Sequence, residues 1–251
     1  MTFILLLPAS LLPGYADQSE AEESAAQVLQ DGLVVTSHEA AIHGQRIPYT
    51  TTAGMMALSS DLGRYEIFFT AYTRSDTDNL TQRPVTFVFN GGPGSASLWL
   101  HMGFLGPRRM ELDSIGNATQ LPVKLIDNDD SFLDMTDLVF IDPVGTGYSR
   151  VLEGTSAEAF YTYDGDIQSV GDFIRLYLNR YHRWGSPKYV AGESYGTVRA
   201  VGLCKYLLDA HNISLNGLML ISTANNFSSL EFNPGNDLPY ALYLPTYAAD
   251  A

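Results

Sequence analysis

Short apolar runs alternate along this chain with longer segments in which apolar residues recur every three or four positions. Stretches rich in β-forming residues lie at positions 33–36, 45–52, 65–74 and 85–89, and shorter apolar runs lie at 138–141, 189–191 and 218–221. Apolar runs with helical segments between them are typical of buried parallel strands in βαβ units. An antiparallel start followed by this alternation predicts an α/β fold with one doubly wound, mostly parallel sheet.

Two segments have the apolar spacing of an amphipathic helix. The predicted buried face of the first, at positions 166–183, consists of Ile167, Val170, Ile174, Tyr177 and Tyr181. The second is predicted to begin near Ser194 and to end near Asp209. Its predicted buried face consists of Val201, Cys204 and Leu208.

Composition narrows the class of protein. The 251 residues are 45% apolar and 12% aromatic, which is enough for one substantial core. The net charge of −14 argues against a nucleic-acid partner, because phosphate recognition needs a basic surface, and it gives no reason to expect a membrane partner. Cys204 is the one cysteine, so no intrachain disulfide can form, and we expect it to be an inert core residue.

The N-terminus has features of an exported protein. An apolar run at positions 3–12 is too short to span a bilayer and precedes a small-x-small pattern at 14–16. We therefore predict a signal peptide at 1–16, an acidic mobile leader at 17–31 and the folded domain at 32–251, with a secreted or periplasmic location. Against this, no Lys or Arg precedes Arg46.

The run Gly-Glu-Ser-Tyr-Gly at positions 192–196 matches the G-x-S-x-G pattern of a serine nucleophile. A predicted strand precedes it and a predicted helix follows, which is the strand–turn–helix context of a nucleophile elbow. The glycines allow a sharp turn, and the helix start favours developing negative charge near Ser194. A glycine-flanked turn without chemistry is the alternative.

Two further loops follow predicted strands. Asn-Gly-Gly-Pro-Gly-Ser at 90–95 would leave backbone N–H groups free to bind an oxyanion, and it lacks the spacing and lysine of a phosphate-binding loop. Asp-Pro-Val-Gly-Thr-Gly-Tyr-Ser at 142–149 has two glycines but no third glycine or ribose-binding acid, so we interpret it as a rigid supporting loop.

The three runs together, in this order and at these distances, resemble the serine carboxypeptidases, peptidase family S10 of the α/β-hydrolase fold. The resemblance extends over about positions 33–247. Ser95 stands where many eukaryotic members have a disulfide cysteine, which, with the single cysteine, favours a bacterial-type member. The resemblance implies an enzyme that acts on peptide substrates without a cofactor, and the sequence contains no metal-ligand cluster. It leaves the oligomeric state open.

The resemblance also implies roles for five residues. Ser194 would be the nucleophile, and the backbone N–H groups of Gly92 and Tyr195 would form the oxyanion hole. Asn90 and Glu193 would bind the C-terminal carboxylate of the substrate. A carboxylic acid can donate a hydrogen bond to a carboxylate only while it is protonated, which accounts for the acidic working range of the family.

The sequence provides no evident base. The acid and the histidine should follow the nucleophile, but His211 would lie about 25 Å along the helix that starts there, at ~1.5 Å per residue. His38, His43, His101 and His182 precede it. We therefore expect a C-terminally truncated domain that lacks its last strands, is poorly soluble alone, and belongs to a serine carboxypeptidase. An acyltransferase or esterase, and an inactive fragment or binding protein, are the alternatives.

Overall fold

The computed structural model of the chain describes residues 27–28, 32–113, 115–224 and 226–250. Within these ranges the strands are β1 Gln27–Val28, β2 Val34–Ile42, β3 Gln45–Ser60, β4 Gly63–Arg74, β5 Val85–Phe89, β6 Arg108–Met110, β7 Leu125–Asp127, β8 Asp137–Ile141, β9 Arg150–Val151, β10 Lys188–Glu193 and β11 Gly217–Ile221. The α-helices are α1 Leu98–Leu100, α2 Tyr163–Arg180, α3 Tyr195–His211 and α4 Leu238–Asp250. A π-helical turn at His101–Leu105 and 3₁₀ turns at Phe132–Asp134, Glu158–Tyr161 and Phe227–Leu230 complete the described elements.

One mixed sheet organises the described residues, in the order β1-β2-β3-β4-β8-β5-β10-β11, with β9 beside β4. Strands β8, β5, β10 and β11 are parallel, and β1 to β4 extend them as an antiparallel meander. The predicted α/β-hydrolase fold, with its antiparallel start, is confirmed. Strand β1 lies inside the predicted leader; the predicted signal peptide and the rest of the leader lie outside the described residues.

Both faces of β5 and β8 are covered, which explains their unbroken apolar runs, whereas β11 is partly exposed. Every residue of β5 and β8 is buried. On one face, Phe87 and Phe89 pack with helices α2 and α3, and on the other, Val88 and Phe140 pack with α1 and the π-helical turn. The carboxyl ends of the strands therefore meet at one sheet edge, between two layers of helix. Nowhere in the described ranges does a helix combine the length and apolarity needed to cross a bilayer.

Helix α2 agrees with four residues of its predicted face, since Ile167, Val170, Ile174 and Tyr177 are buried; the fifth, Tyr181, follows the end of the helix and is partly exposed. The predicted buried face of α3 is wrong. Val201 and Leu208 are 54% and 51% exposed, and the helix instead buries Ala200, Leu203 and Leu207. Cys204 lies at the boundary and is partly exposed rather than in the core. The reason is that Arg199 faces inward, which rotates the buried stripe by one position.

Candidate active site

The Gly-Glu-Ser-Tyr-Gly run forms a sharp turn between β10 and α3. Ser194 immediately precedes α3 and has φ 57° and ψ −124°, a backbone conformation that non-glycine residues rarely adopt. A Cβ atom at Gly192 would lie 2.2 Å from the carbonyl oxygen of Gly196, so the turn requires glycine there. The turn holds Ser194 half-buried at the helix start, in the strand–turn–helix arrangement of a nucleophile elbow.

The glycine-rich loop after β5 lies directly against this turn. A Cβ atom at Gly91 would lie 2.5 Å from the backbone nitrogen of Tyr195 and 2.6 Å from the carbonyl oxygen of Glu193, so backbone contacts backbone. The loop closes through a 3.1 Å hydrogen bond from the Ser95 N–H to the Gly91 carbonyl. Gly92 and Tyr195, the two predicted oxyanion donors, therefore belong to segments in direct contact. Tyr195 is the first residue of α3, so its N–H has no partner within the helix.

Asn90 and Glu193 lie side by side at the ends of neighbouring strands. The register pairs Phe89 with Gly192, which places the next residue of each strand opposite the other. Asn90 is fully buried, and its Nδ2 donates a 3.0 Å hydrogen bond to Oε2 of Glu193. Its Oδ1 accepts a 3.1 Å hydrogen bond from the Leu100 N–H. Because the oxygen is committed to Leu100, the amide NH₂ group must face Glu193.

The loop after β8 supports the glycine-rich loop from the other side. The Ser97 N–H donates a 2.8 Å hydrogen bond to Oδ1 of Asp142, and the Ser149 hydroxyl donates a 2.6 Å bond to the Asp142 carbonyl. Burial raises the pKa of the Asp142 carboxyl, and the backbone N–H groups that it accepts from act in the opposite direction. The arrangement agrees with the supporting role that the sequence predicts for this loop.

An apolar cavity of about 260 Å³ adjoins the start of α3. Tyr195 forms part of the cavity wall. Burial raises the pKa of the Tyr195 phenol most, and the nearby Asp166 raises this pKa further. The lining consists of Pro93, Gly94, Pro143, Val144, Gly145, Thr146, Phe160, Tyr161, Asp166, Tyr195 and Arg199. Across the described ranges, this cavity included, no group of three or more His, Cys, Asp or Glu side chains is arranged to hold a metal ion.

None of the hydrogen bonds described for the five histidines reaches Ser194. His38 bonds to Thr36, His43 to Asp134, His101 to Tyr72 and His211 to Asp172, and His182 is exposed after α2. His101, the least remote candidate in the sequence, stacks on Phe140 at 4.3 Å between ring centroids, and burial lowers its pKa to about 4. The described residues thus bring together the predicted nucleophile, glycine loop and carboxylate-binding pair, but no base.

Sequence reasoning missed Arg199, which donates a hydrogen bond to the backbone carbonyl of Asn90. The available signal was a charged residue between apolar positions of a predicted helix, five residues after the nucleophile. Ser97 was missed as well, because nothing in its sequence context distinguishes it from an ordinary loop serine.

Comparison with known proteins agrees with this geometry. The family model for serine carboxypeptidases (peptidase family S10) matches residues 43–230. Pheromone-processing carboxypeptidase KEX1 of Saccharomyces cerevisiae is 31% identical over 163 residues, which cover 61% of this chain and 20% of that protein. Serine carboxypeptidase-like 36 of Arabidopsis thaliana is 28% identical over 182 residues, which cover 69% of this chain and 34% of that protein.

The crystal structure of a prohormone-processing Kex1 carboxypeptidase from Saccharomyces cerevisiae superimposes with a TM-score of 0.58 and 23% identity, over 78% of this chain and 43% of that one. This likeness shows the fold. The chain spans about a fifth to a third of the length of the curated relatives named above. Those relatives are fungal and plant, so the bacterial-type branch stays a prediction. Because the family model matches well over half of its residues, the chain belongs to the serine carboxypeptidase family.

Proposed function

We propose that this chain carries the nucleophile, oxyanion hole and substrate-carboxylate site of a serine-type carboxypeptidase, which releases C-terminal amino acids from peptides. The observation that carries the proposal is the Asn90–Glu193 pair next to the Ser194 turn. A hydrolase that acts inside a chain or on a neutral ester has no need for a carboxylate site one residue from its nucleophile.

In the proposed reaction, the Ser194 hydroxyl attacks the carbonyl carbon of the last peptide bond. The tetrahedral oxyanion accepts hydrogen bonds from the N–H groups of Gly92 and Tyr195, and the C–N bond then breaks. The free amino acid leaves, and water hydrolyses the acyl-enzyme ester on Ser194. Each half-reaction needs a base that takes a proton from the attacking hydroxyl or water and gives it to the leaving group, and the proposal assigns that base to none of the five histidines of this sequence.

The hydrogen bonds of Asn90 suit it to a carboxylate. One N–H of its Nδ2 is used by Glu193, and the proposal assigns the other N–H to a substrate oxygen. The amide cannot turn its oxygen towards the substrate without breaking the bond from the Leu100 N–H. Glu193 adds a second donor only in its neutral, carboxylic acid form.

An acyltransferase or esterase on the same scaffold is the rival activity, and a non-catalytic binding protein is the rival of a different class. An acyltransferase has less need for a pair that reads a free carboxylate, so the retained pair favours the peptidase. Export and action on peptides outside the cytosol remain part of the proposal, because residues 1–16 lie outside the described ranges.

The test measures binding, which needs no base. Isothermal titration at pH 5 should show that N-benzyloxycarbonyl-phenylalanine binds at least tenfold more tightly than its C-terminal amide. Asn90→Asp keeps the oxygen that accepts from Leu100 but replaces the donor by an anion, so it should abolish the preference. Asn128→Asp is the control, because buried Asn128 donates to the carbonyls of Phe104 and Gly106. Equal affinity of the wild-type chain for acid and amide would overturn the proposal.

A further inference from the structure

Arg199 is the largest of the fully buried side chains, with 1% of its surface exposed. Arginine is almost never buried to this degree unless its charge is paired. It also lies on the helix that begins at the nucleophile, five residues after Ser194. A buried charge at this place requires an explanation in terms of what it holds.

The guanidinium joins the glycine-rich loop to helix α2. Nη1 donates a 2.8 Å hydrogen bond to the backbone carbonyl of Asn90. Nε lies 3.0 Å and 2.9 Å from the two carboxylate oxygens of Asp166, which is itself 8% exposed. Asp166 therefore compensates the charge and fixes the plane of the guanidinium, and Nη1 is directed at Asn90, the proposed carboxylate-binding residue.

Two aromatic rings flank the same guanidinium. Its central carbon lies 5.0 Å from the ring centroid of Phe89 and 5.4 Å from that of Tyr195, within the range of cation–π contact. Phe89 directly precedes Asn90, and Tyr195 directly follows Ser194. Arg199 thus contacts both segments that form the site, the end of β5 and the start of α3.

The hydrogen bond to Asn90 has a geometric consequence. A trans peptide is planar, so fixing the Asn90 carbonyl also fixes the plane of the Gly91 N–H. The Ser95 N–H fixes the next carbonyl, that of Gly91, and with it the direction of the Gly92 N–H. Arg199 and the Ser95 N–H therefore orient these two peptide planes, and of the two donors Arg199 is the one that lies on another element.

We propose that Arg199, held by Asp166, is a positioning residue that orients Asn90 and the glycine-rich loop for the carboxylate end of the substrate. This rests on the proposed carboxypeptidase function. Arg199 does not touch substrate in this proposal, since it acts through the backbone of Asn90 and the ring of Tyr195.

The chain contains a matched control for a purely structural role. Arg183 and Asp137 form another buried pair, with 3% and 0% of their side-chain surfaces exposed, and Nη1 lies 2.6 Å from the carboxylate. Arg183 also donates to the carbonyls of Arg83 and Pro84, which precede β5. It therefore braces the amino end of the same strand whose carboxyl end Arg199 braces, and it lies away from the site.

The experiment compares the preference for N-benzyloxycarbonyl-phenylalanine over its amide, by titration at pH 5, in the full chain and its variants. Arg199→Lys keeps the positive charge but loses the planar guanidinium that bonds to Asp166 and Asn90 at the same time. The double variant Arg199→Met with Asp166→Leu removes both charges together, a replacement that buried pairs often tolerate. We expect both to lower the preference at least tenfold, and Arg183→Lys to leave it unchanged. Urea unfolding midpoints show whether the variants are equally folded.

Each result bears on a different claim. A wild-type preference that both Arg199 variants retain would overturn the positioning role and leave the proposed function intact. A wild-type chain without preference overturns both. If Arg183→Lys lowers the preference as much as Arg199→Lys at an equal shift in midpoint, the effect is general destabilisation and the positioning role is wrong. If the double variant does not fold, the Arg199→Lys variant alone tests the positioning role. In that variant we also expect the ¹H–¹⁵N signal of the Asn90 side-chain amide to shift from its wild-type position.

Discussion

Nδ2 of Asn90 lies 3.0 Å from Oε2 of Glu193, although the two residues are 103 positions apart in the sequence. Parallel pairing of β5 with β10 brings them together at the sheet edge where ligands of open α/β sheets bind. The Asn90 amide can always donate a hydrogen bond, whereas the Glu193 carboxyl can donate one only when it is protonated. Any pH dependence of carboxylate binding by the pair therefore comes from Glu193 and not from Asn90.

Glu193→Gln should make carboxylate binding independent of pH. In its carboxylate form Glu193 repels the ligand and donates no hydrogen bond to it, so affinity for N-benzyloxycarbonyl-phenylalanine should be lower at high pH in the wild-type chain. The glutamine amide donates at any pH, and its oxygen still accepts from Asn90. Titrations between pH 4 and pH 8 check this, with exposed Glu231→Gln as the control. If affinity falls equally with pH in the wild-type chain and in Glu193→Gln, Glu193 does not bind the carboxylate.

The 251-residue chain should hydrolyse blocked dipeptides no faster than its Ser194→Ala variant. Without a base the hydroxyl stays protonated and is a weak nucleophile, and four of the five histidines are hydrogen-bonded elsewhere. Labelling by a fluorophosphonate probe gives a second measurement on the same pair. Turnover that depends on Ser194 and reaches ordinary enzyme rates, roughly 1–10³ per second, would contradict this and require a base that the described contacts do not reveal.

Gly91→Ala should disrupt the site and destabilise the fold. The added Cβ would meet three backbone atoms, including the nitrogen of Tyr195 at 2.5 Å, and backbone atoms cannot move aside by a side-chain rotation. We expect a loss of about 1–3 kcal/mol in unfolding free energy, together with loss of carboxylate binding. Gly103→Ala is the control, since no atom lies within 4 Å of its added Cβ. If both variants unfold at the same urea concentration, the close approach of loop and elbow is wrong.

His101 should make the folded chain less stable at acidic pH. Burial lowers its pKa from 6.5 to about 4. Between these values the unfolded chain binds a proton that the folded chain does not, so stability falls as the pH drops from about 6.5 to about 4. Each pKa unit corresponds to about 1.4 kcal/mol, which puts the full loss on the order of 3 kcal/mol.

The measurement is urea unfolding at pH 4 and pH 7. His101→Gln keeps an acceptor for the Tyr72 hydroxyl, which lies 2.6 Å from Nε2, but its amide does not titrate, so the stability of this variant should change less with pH. Exposed His182→Gln should retain the wild-type slope. An unchanged slope in His101→Gln would mean that other groups cause the acid sensitivity.

Much of the fold follows from local sequence, because strand composition and helical spacing are local properties. The strand at 85–89 and the elbow at 192–196 were predicted within a residue. The second and third strands are longer than predicted, since positions 53–60 pair across a long hairpin despite Gly54 and two serines. That pairing depends on a partner strand, which composition does not reveal.

The site was predicted less completely than the fold. Ser194, Asn90 and Glu193 belong to contiguous sequence runs, so the runs alone are enough to propose them as site residues. Arg199 bonds to Asn90 across 109 positions, and no local pattern distinguishes an arginine that faces inward from one that faces solvent. The wrong face assigned to α3 has the same origin, because it assumed that only apolar residues turn inward.

The corrected face of α3 can be tested with two adjacent leucines. Leu207 is fully buried, and Leu208 is 51% exposed, although the sequence alone favours Leu208 as the buried one. Leu207→Ala should therefore cost about 2–5 kcal/mol of unfolding free energy, because it removes packed methyl groups and leaves a cavity. Leu208→Ala should change stability by less than about 0.5 kcal/mol, since alanine has the higher helix propensity and little packing is lost. Urea unfolding of the two variants measures the difference directly. A larger loss in Leu208→Ala than in Leu207→Ala would restore the stripe of Val201, Cys204 and Leu208, and it would turn Arg199 away from Asn90.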